Sequence, residues 1–198
     1  MSEVKEVQIG PAVKYGWESV KKDFLYLVGM AVVVAIAQSI GNYRSDDSSF
    51  LGLVSMVLTI WLTGGYLKLL LEYSRQNKLP FEELFKQFQY FWRLLAATIL
   101  IGLAVGLGTL LLIIPGIYLA IRLQFTTLVI VDQDKSISDA MSESWKLSER
   151  KVWPLFLLGL ALLGVAILGF IALGVGILVA MPVIWLAQVY VYNQLKSK

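Results

Sequence analysis

The chain contains no cysteine and no histidine in 198 residues, and only five prolines. Without cysteine there is no disulfide framework, no thiolate nucleophile and no sulfur ligand for zinc. Without histidine, imidazole acid–base catalysis and histidine-ligated metal sites are excluded as well. Charge is also scarce: Asp, Glu, Lys and Arg make up 16% of the residues, against roughly a quarter in a soluble domain. Hydrocarbon takes its place. Hydrophobic residues make up 58% of the chain, with a mean hydropathy of +0.72. A soluble domain holds about 45–50% apolar residues, so composition points to an integral membrane protein.

Six apolar stretches are marked by the sequence: Phe24–Ile40, Phe50–Leu67, Leu94–Ile114, Gly116–Val131, Leu155–Leu173 and Val175–Val191. A helix rising 1.5 Å per residue needs about 20 residues to cross roughly 30 Å of hydrocarbon. The fourth stretch is the shortest, beginning beside Pro115–Gly116 and carrying Arg122. Two spans still fit 94–131 better than one, because a single helix there would be about 57 Å long and Pro-Gly is a strong break signal. Pro182 is a second expected break, in the sixth span.

Charge placement gives the orientation. Of seventeen Lys and Arg, all but Arg44 in an outer loop and Arg122 within a span fall on the side that holds both termini. By the positive-inside rule that side is cytoplasmic, which implies a multi-pass protein of the cytoplasmic (inner) membrane with both termini inside. The first 23 residues carry Lys5, Lys14, Lys21 and Lys22 with four acids and no small-residue cleavage pattern, so no cleavable signal peptide is expected.

The segments preceding the odd-numbered spans are amphipathic. Pro11 is followed by Val13, Trp17, Val20 and Phe24. Pro80, with Glu82 and Glu83 in the first turn, leads into Phe81, Leu84, Phe85, Phe88, Phe91 and Trp92 at helical spacing. Ser136-Ile-Ser-Asp139 has the capping-box pattern and precedes Ile137, Ala140, Met141 and Trp145 on one expected face. The expected fold is therefore all-α: one integral membrane domain over 1–198, with six transmembrane helices as three hairpins. A cytoplasmic interfacial amphipathic helix precedes each hairpin, giving repeat units at 11–75, 78–131 and 136–193.

Small residues recur four apart within the spans, at Ala31/Ala35, Ser55/Thr59, Gly102/Gly106 and Ala172/Gly176/Ala180. Such stripes let helix backbones approach closely where lipid offers no hydrophobic drive for association. Tight packing within one chain is the first expectation, and a homodimer built on Gly102 and Gly106 is the alternative. An ionisable residue inside a span is a functional hypothesis by default. Arg122 is the clear case; Lys68, near a span end where its stem can snorkel, is the weaker one. Arg122 can be bonded to helix-end carbonyls or water, or can bind an anionic headgroup or solute.

Catalytic templates find no match. Two tight acid pairs, Asp46-Asp47 and Asp132-Gln-Asp134, read as solvated turn residues. Gly102-x3-Gly106-x-Gly108 lies within an apolar span, not in a phosphate-cradling loop between strand and helix. No metal, no cofactor and no nucleic-acid partner is expected. The expected partners are membrane lipids, with a homo-oligomer or another membrane protein as further options.

Residues 113–154 carry a resemblance. Ile113-Ile114-Pro115-Gly116-Ile117-Tyr118 leads to Arg122, then to Val131-Asp132, then to Ala140-Met-Ser-Glu-Ser144-Trp145 and Trp153. This pattern of Pro-Gly-Ile, an Arg in the fourth helix, an acidic turn and Ala-x3-Ser-Trp before the fifth resembles a group of six-span prokaryotic membrane proteins. That group includes the membrane domain fused to some glycerophosphodiester phosphodiesterases. The resemblance implies a helical membrane module; these residues show no phosphodiesterase domain, so that activity is not implied. The expectation is a non-enzymatic, lipid-interacting accessory, scaffold or membrane-homeostasis module. The alternative is a small transporter or channel for a lipid or anionic solute with a site near Arg122.

Overall fold

A computed structural model describes residues 7–40, 48–76, 87–172 and 176–196, and all the regular structure within them is helical. In chain order the helices are α1 (Ile9–Lys22), α2 (Phe24–Ile40), α3 (Ser48–Gln76), α4 (Phe91–Leu111), α5 (Ile113–Leu123), α6 (Thr126–Gln133), α7 (Ile137–Leu147), α8 (Val152–Ile171) and α9 (Gly176–Lys196). A short 3-10 turn, Gln87–Tyr90, leads into α4. The expected amphipathic stretch from Pro80 through Phe85 lies outside the described residues, as does Asp46-Asp47.

Among the described residues, five helical stretches are long and apolar enough to cross a membrane: Val54–Gln76, Phe88–Leu111, Ile113–Gln133, Val152–Ile171 and Gly176–Lys196. Six had been expected. The helix at the first expected span, α2, is apolar but has 17 residues, about 25 Å of rise. The span expected to be shortest is instead 21 residues long, because α5 and α6 run on from one another through a kink at Gln124–Phe125.

The helices divide into an inner and an outer set. About 44% of the most apolar window is buried in the spans formed by α3, α5–α6 and α9, against 17% in α4 and 22% in α8. Leu69, Leu70 and Leu71 of α3, Leu128 to Val131 of α6, and Leu186, Ala187 and Tyr192 of α9 form the centre. Four consecutive buried residues in α6 mean that this helix is enclosed on every side. On the outer set, Leu103, Leu107 and Leu110 of α4 and Leu163, Ile167 and Leu168 of α8 stay exposed, as expected of side chains whose solvent is lipid.

The hairpin between α4 and α5 turns at a single extended residue, Leu112 (φ −160°, ψ 139°), three positions before the expected Pro-Gly break. Pro115 sits in the first turn of α5, where its missing N–H leaves no intrahelical bond unmade. Gly116 acts by its lack of a side chain: a Cβ there would collide with the Thr109 hydroxyl and stand 2.7 Å from the Thr109 backbone nitrogen. Pro182 does not break its span; it is buried inside continuous α9.

The small-residue stripes split. Gly176 and Ala180 face Gly169, where a Cβ would stand 2.8 Å from both the Ala180 methyl and the Gly176 carbonyl oxygen, and the Ala172 methyl stands against Gly176, so α8 and α9 meet backbone to backbone. Ser55 ties α3 to α2 by donating to the Ala37 carbonyl at 2.8 Å. Ala31 is buried, and Ala35 and Thr59 are half-buried. The expected intramolecular contact at Gly102 and Gly106 is absent among the described residues: both glycines are exposed, and none of those residues stands within 4 Å of a Cβ built on either. The tight approach on α4 falls instead at Gly108, against Gly116 and Leu119.

Helix α1 is amphipathic, with Ala12, Gly16, Ser19 and Val20 inward and Lys14, Glu18, Lys21 and Lys22 outward. It does not lie free on a surface. Gly16 presses against the Val183 carbonyl of α9, 2.5 Å from where a Cβ would stand, and Tyr15 meets Tyr190 at 5.3 Å. Val13 and Trp17 share a cavity with Ala172 and Gly176 at the α8–α9 turn. At the other end of α1, Asp23 accepts a hydrogen bond from the Tyr73 hydroxyl at 2.6 Å. Helix α1 therefore descends alongside α9.

Candidate functional site

The first polar cluster is built on the α5–α6 kink. A kink frees backbone groups that hydrocarbon cannot satisfy, and side chains satisfy them here. The Ser144 hydroxyl of α7 donates to the Arg122 carbonyl at 2.7 Å and accepts from the Phe125 N–H at 3.2 Å. The Gln124 amide donates to the Ile121 carbonyl at 3.0 Å. Ser148 adds a longer contact to the Arg122 carbonyl, 3.4 Å. Ala140, Ser144 and Ser148 are fully buried, so α7 approaches through small residues four apart. The sequence pattern places Ile137, Ala140, Met141 and Trp145 on that face; Ala140 is buried there, but Ile137 and Met141 are half-buried and Trp145 is exposed. The N-cap of α7 is as the Ser-x-x-Asp pattern predicts, with Ser136 accepting from the Asp139 N–H at 3.2 Å.

The Arg122 side chain is 9% exposed and held by α7. Its Nε donates to the Tyr118 hydroxyl at 3.0 Å and its Nη1 to the Trp145 carbonyl at 3.1 Å. The guanidinium lies 4.6 Å from the Trp145 ring centre and 5.2 Å from that of Tyr118. The two rings meet edge-on at 5.9 Å. Cation–π attraction strengthens when the cation is desolvated, and arginine, weakly hydrated and planar, suits such a slot better than lysine. Among the described residues, no carboxylate forms an ion pair with Arg122. Lys68 is elsewhere, half-buried on α3, with its ammonium 3.9 Å from Glu72 one turn on. Arg122 and Lys68 share no partner.

The second cluster was missed by the sequence reading. The sequence groups Asp132 with Asp134 as solvated turn residues, yet the Asp132 side chain is 1% exposed. Arg75 of α3 grips both its carboxylate oxygens, at 2.6 and 2.9 Å. Lys196 and the Tyr192 hydroxyl, both of α9, donate to Oδ2 at 2.6 and 2.7 Å. Arg75 also reaches Asn193, which bonds Ser74, and Gln133 donates to the Tyr192 hydroxyl. Asp132 thus ties three inner helices together at one end. Asp134 behaves as expected of a turn residue: exposed, left-handed (φ 51°) and paired with Arg93. The distinguishing signal lay in position. Asp132 directly follows the enclosed run Leu128–Val131, whereas Asp134 is the helix cap.

The family model for the membrane domain of glycerophosphoryl diester phosphodiesterase matches residues 89–194. The chain belongs to this family. The match takes in Arg122, Ser144, Trp145, Asp132 and Tyr192, while Arg75, Lys196 and the whole of α1 lie outside it. No curated protein and no solved structure matches significantly. The chain is thus a multi-pass membrane module of that family.

Among the described residues no group of acids is placed to hold a metal ion. Five cavities and grooves stand out, and none is lined by Arg122. Gly102 and Gly106 line one of them, an open groove between α4 and the α5–α6 kink.

Proposed function

We propose that this chain is a non-catalytic, lipid-facing scaffold module of the cytoplasmic membrane, with α2 as a sixth crossing and the Asp132 end facing the cytoplasm. The observation that carries this reading is the occupation of Arg122. Its guanidinium donates to one tyrosine hydroxyl and one helix-end carbonyl and lies against two ring faces, which locks the α5–α6 kink to α7, and it lines none of the five grooves. A transported or hydrolysed anion needs an accessible cation; this one is a fastener. The membrane boundary is supported by exposed Trp92 and Trp153, each at the start of an outer helix, because tryptophan concentrates at membrane–water interfaces. Arg93 and the Asp132 cluster stand at that same end, which favours its cytoplasmic assignment.

Reconstitution into liposomes tests the reading. Neither hydrolysis of glycerophosphodiesters nor efflux of a trapped organic anion is expected above protein-free vesicles, and Arg122→Ala should lower thermal stability. Turnover or flux that Arg122→Ala abolishes, while leaving the melting temperature unchanged, would overturn it.

A further inference from the structure

The groove between α1, α8 and α9 has features that the scaffold reading does not use. It encloses about 440 Å³, and its surface is almost wholly apolar. Its floor is the glycine-mediated contact of α8 with α9, where Gly169, Ala172 and Gly176 present almost no side chain. Its far wall is α1, which contributes Val13 and Trp17 and is held in place by the fit of Gly16 against Val183. The lining runs from Gly176 to Val183 along α9, a rise of about 10 Å. The cavity is therefore a slot that follows α9.

One end of this slot is cationic. The Lys21 ammonium lies 5.1 Å from the centre of the Trp17 ring, and Trp17 is itself part of the wall. Lys21 and Lys22 are exposed in the last turn of α1, next to Asp23, which marks the end where Tyr73 and the Asp132 cluster lie. Of the acids on α1 and its cap, Glu18 faces Lys14 at 3.7 Å and Asp23 takes the Tyr73 hydroxyl. No acid from α8 or α9 lines the slot. The two lysines thus stand as net positive charge at the mouth of an apolar channel that rises toward the α8–α9 turn.

We propose that this slot is a lipid site: it takes an acyl chain of an anionic phospholipid whose headgroup phosphate sits at Lys21 and Lys22. A tail in the slot continues the hydrocarbon around it, while Trp17 bridges tail and headgroup as an amphipathic ring does at an interface. The charge complementarity selects an anionic headgroup, and the depth of the slot selects a lipid over a soluble anion. The inference rests on the reading of the chain as a lipid-facing module and adds a defined place and a lipid class.

The test uses the full chain in nanodiscs doped with a phospholipid carrying a diazirine in its acyl chain, with a phosphatidylglycerol or a phosphatidylcholine headgroup. Sites of photo-attachment are mapped by mass spectrometry. Attachment is expected to concentrate on Val13–Trp17, residues 165–172 and residues 176–183, and to favour phosphatidylglycerol, by about fivefold for each lysine engaged. The double change Lys21→Glu with Lys22→Glu should abolish the headgroup preference. The change Val165→Phe with Val179→Phe should remove attachment from the slot for both lipids while leaving it on α4. Slot labelling no denser than on the α4 face, or equal for the two headgroups, would overturn the proposal, as would chain-to-chain cross-links showing a second copy in the slot. None of these outcomes touches the absence of turnover and flux on which the scaffold reading is tested.

Discussion

Truncating Asp132 to alanine should be the most destabilising single change at the Asp132 end of the bundle. The carboxylate is buried, with 1% of its side chain exposed, while Arg75 and Lys196 retain 39% and 38%. Removing one partner of a buried ion pair costs about 3–5 kcal/mol, because the other charge is left without compensation. Here the two cations can turn toward water, so the low end applies, about 3 kcal/mol. For a chain of this size, 1 kcal/mol moves the melting temperature by about 2–4 °C, which places the loss for Asp132→Ala at about 6–12 °C. Asp132→Asn keeps the shape and one acceptor and should lose roughly half as much, since hydrogen bonds to a charged group exceed neutral ones by about a factor of two. The assay is a thermal melt followed by intrinsic tryptophan fluorescence in detergent or nanodiscs; thiol-reactive dyes cannot serve in a chain without cysteine. A double-mutant cycle with Arg75→Ala isolates the pair and should show coupling on the order of 1–3 kcal/mol. A shift below about 2 °C for Asp132→Ala, or coupling near zero, would refute the assignment of Asp132 as the tie between α3, α6 and α9.

Three further outcomes follow from the packing. Gly116→Ala should splay the α4–α5 hairpin, because a Cβ would meet the Thr109 backbone, whereas Gly102→Ala and Gly106→Ala meet nothing and should stabilise α4 by about 0.5–1 kcal/mol each through helix propensity. The same melts would expose an error if the Gly102 or Gly106 change were the damaging one. Ser144→Ala leaves the Phe125 N–H and the Arg122 carbonyl without their shared hydroxyl and should cost about 1–3 kcal/mol, with faster amide exchange at the kink; unchanged exchange there would count against the bridge. Gly16→Ala should lift α1 from α9, seen as faster tryptic cleavage after Lys14, Lys21 and Lys22, and cleavage at the wild-type rate would show that the Gly16 contact does not hold α1.

The solvent, the helical class and the approximate spans were legible because each depends on local composition: about 20 apolar residues in a row cross a bilayer whatever surrounds them. The capping of α7 was legible for the same reason, since Ser136 and Asp139 meet within one turn. Errors arose where residue type allowed two environments. Gly102 and Gly116 are the same residue in neighbouring helices, yet one faces open space and the other a backbone. Pro115 and Pro182 both look like breaks, but the first sits in an opening turn and the second is carried inside a helix.

Composition and local pattern alone establish that this chain belongs in a membrane, that Arg122 lies within a span and that thiol and imidazole chemistry are unavailable to it. It took the packed bundle to show that α7 covers Arg122, that Asp132 and not Asp134 is the buried acid, and that α1 walls a groove on α9. Those outcomes depend on which helix faces which. That is set by contacts between residues far apart in the chain, such as Arg75 with Asp132 and Gly16 with Val183, and no local pattern encodes them.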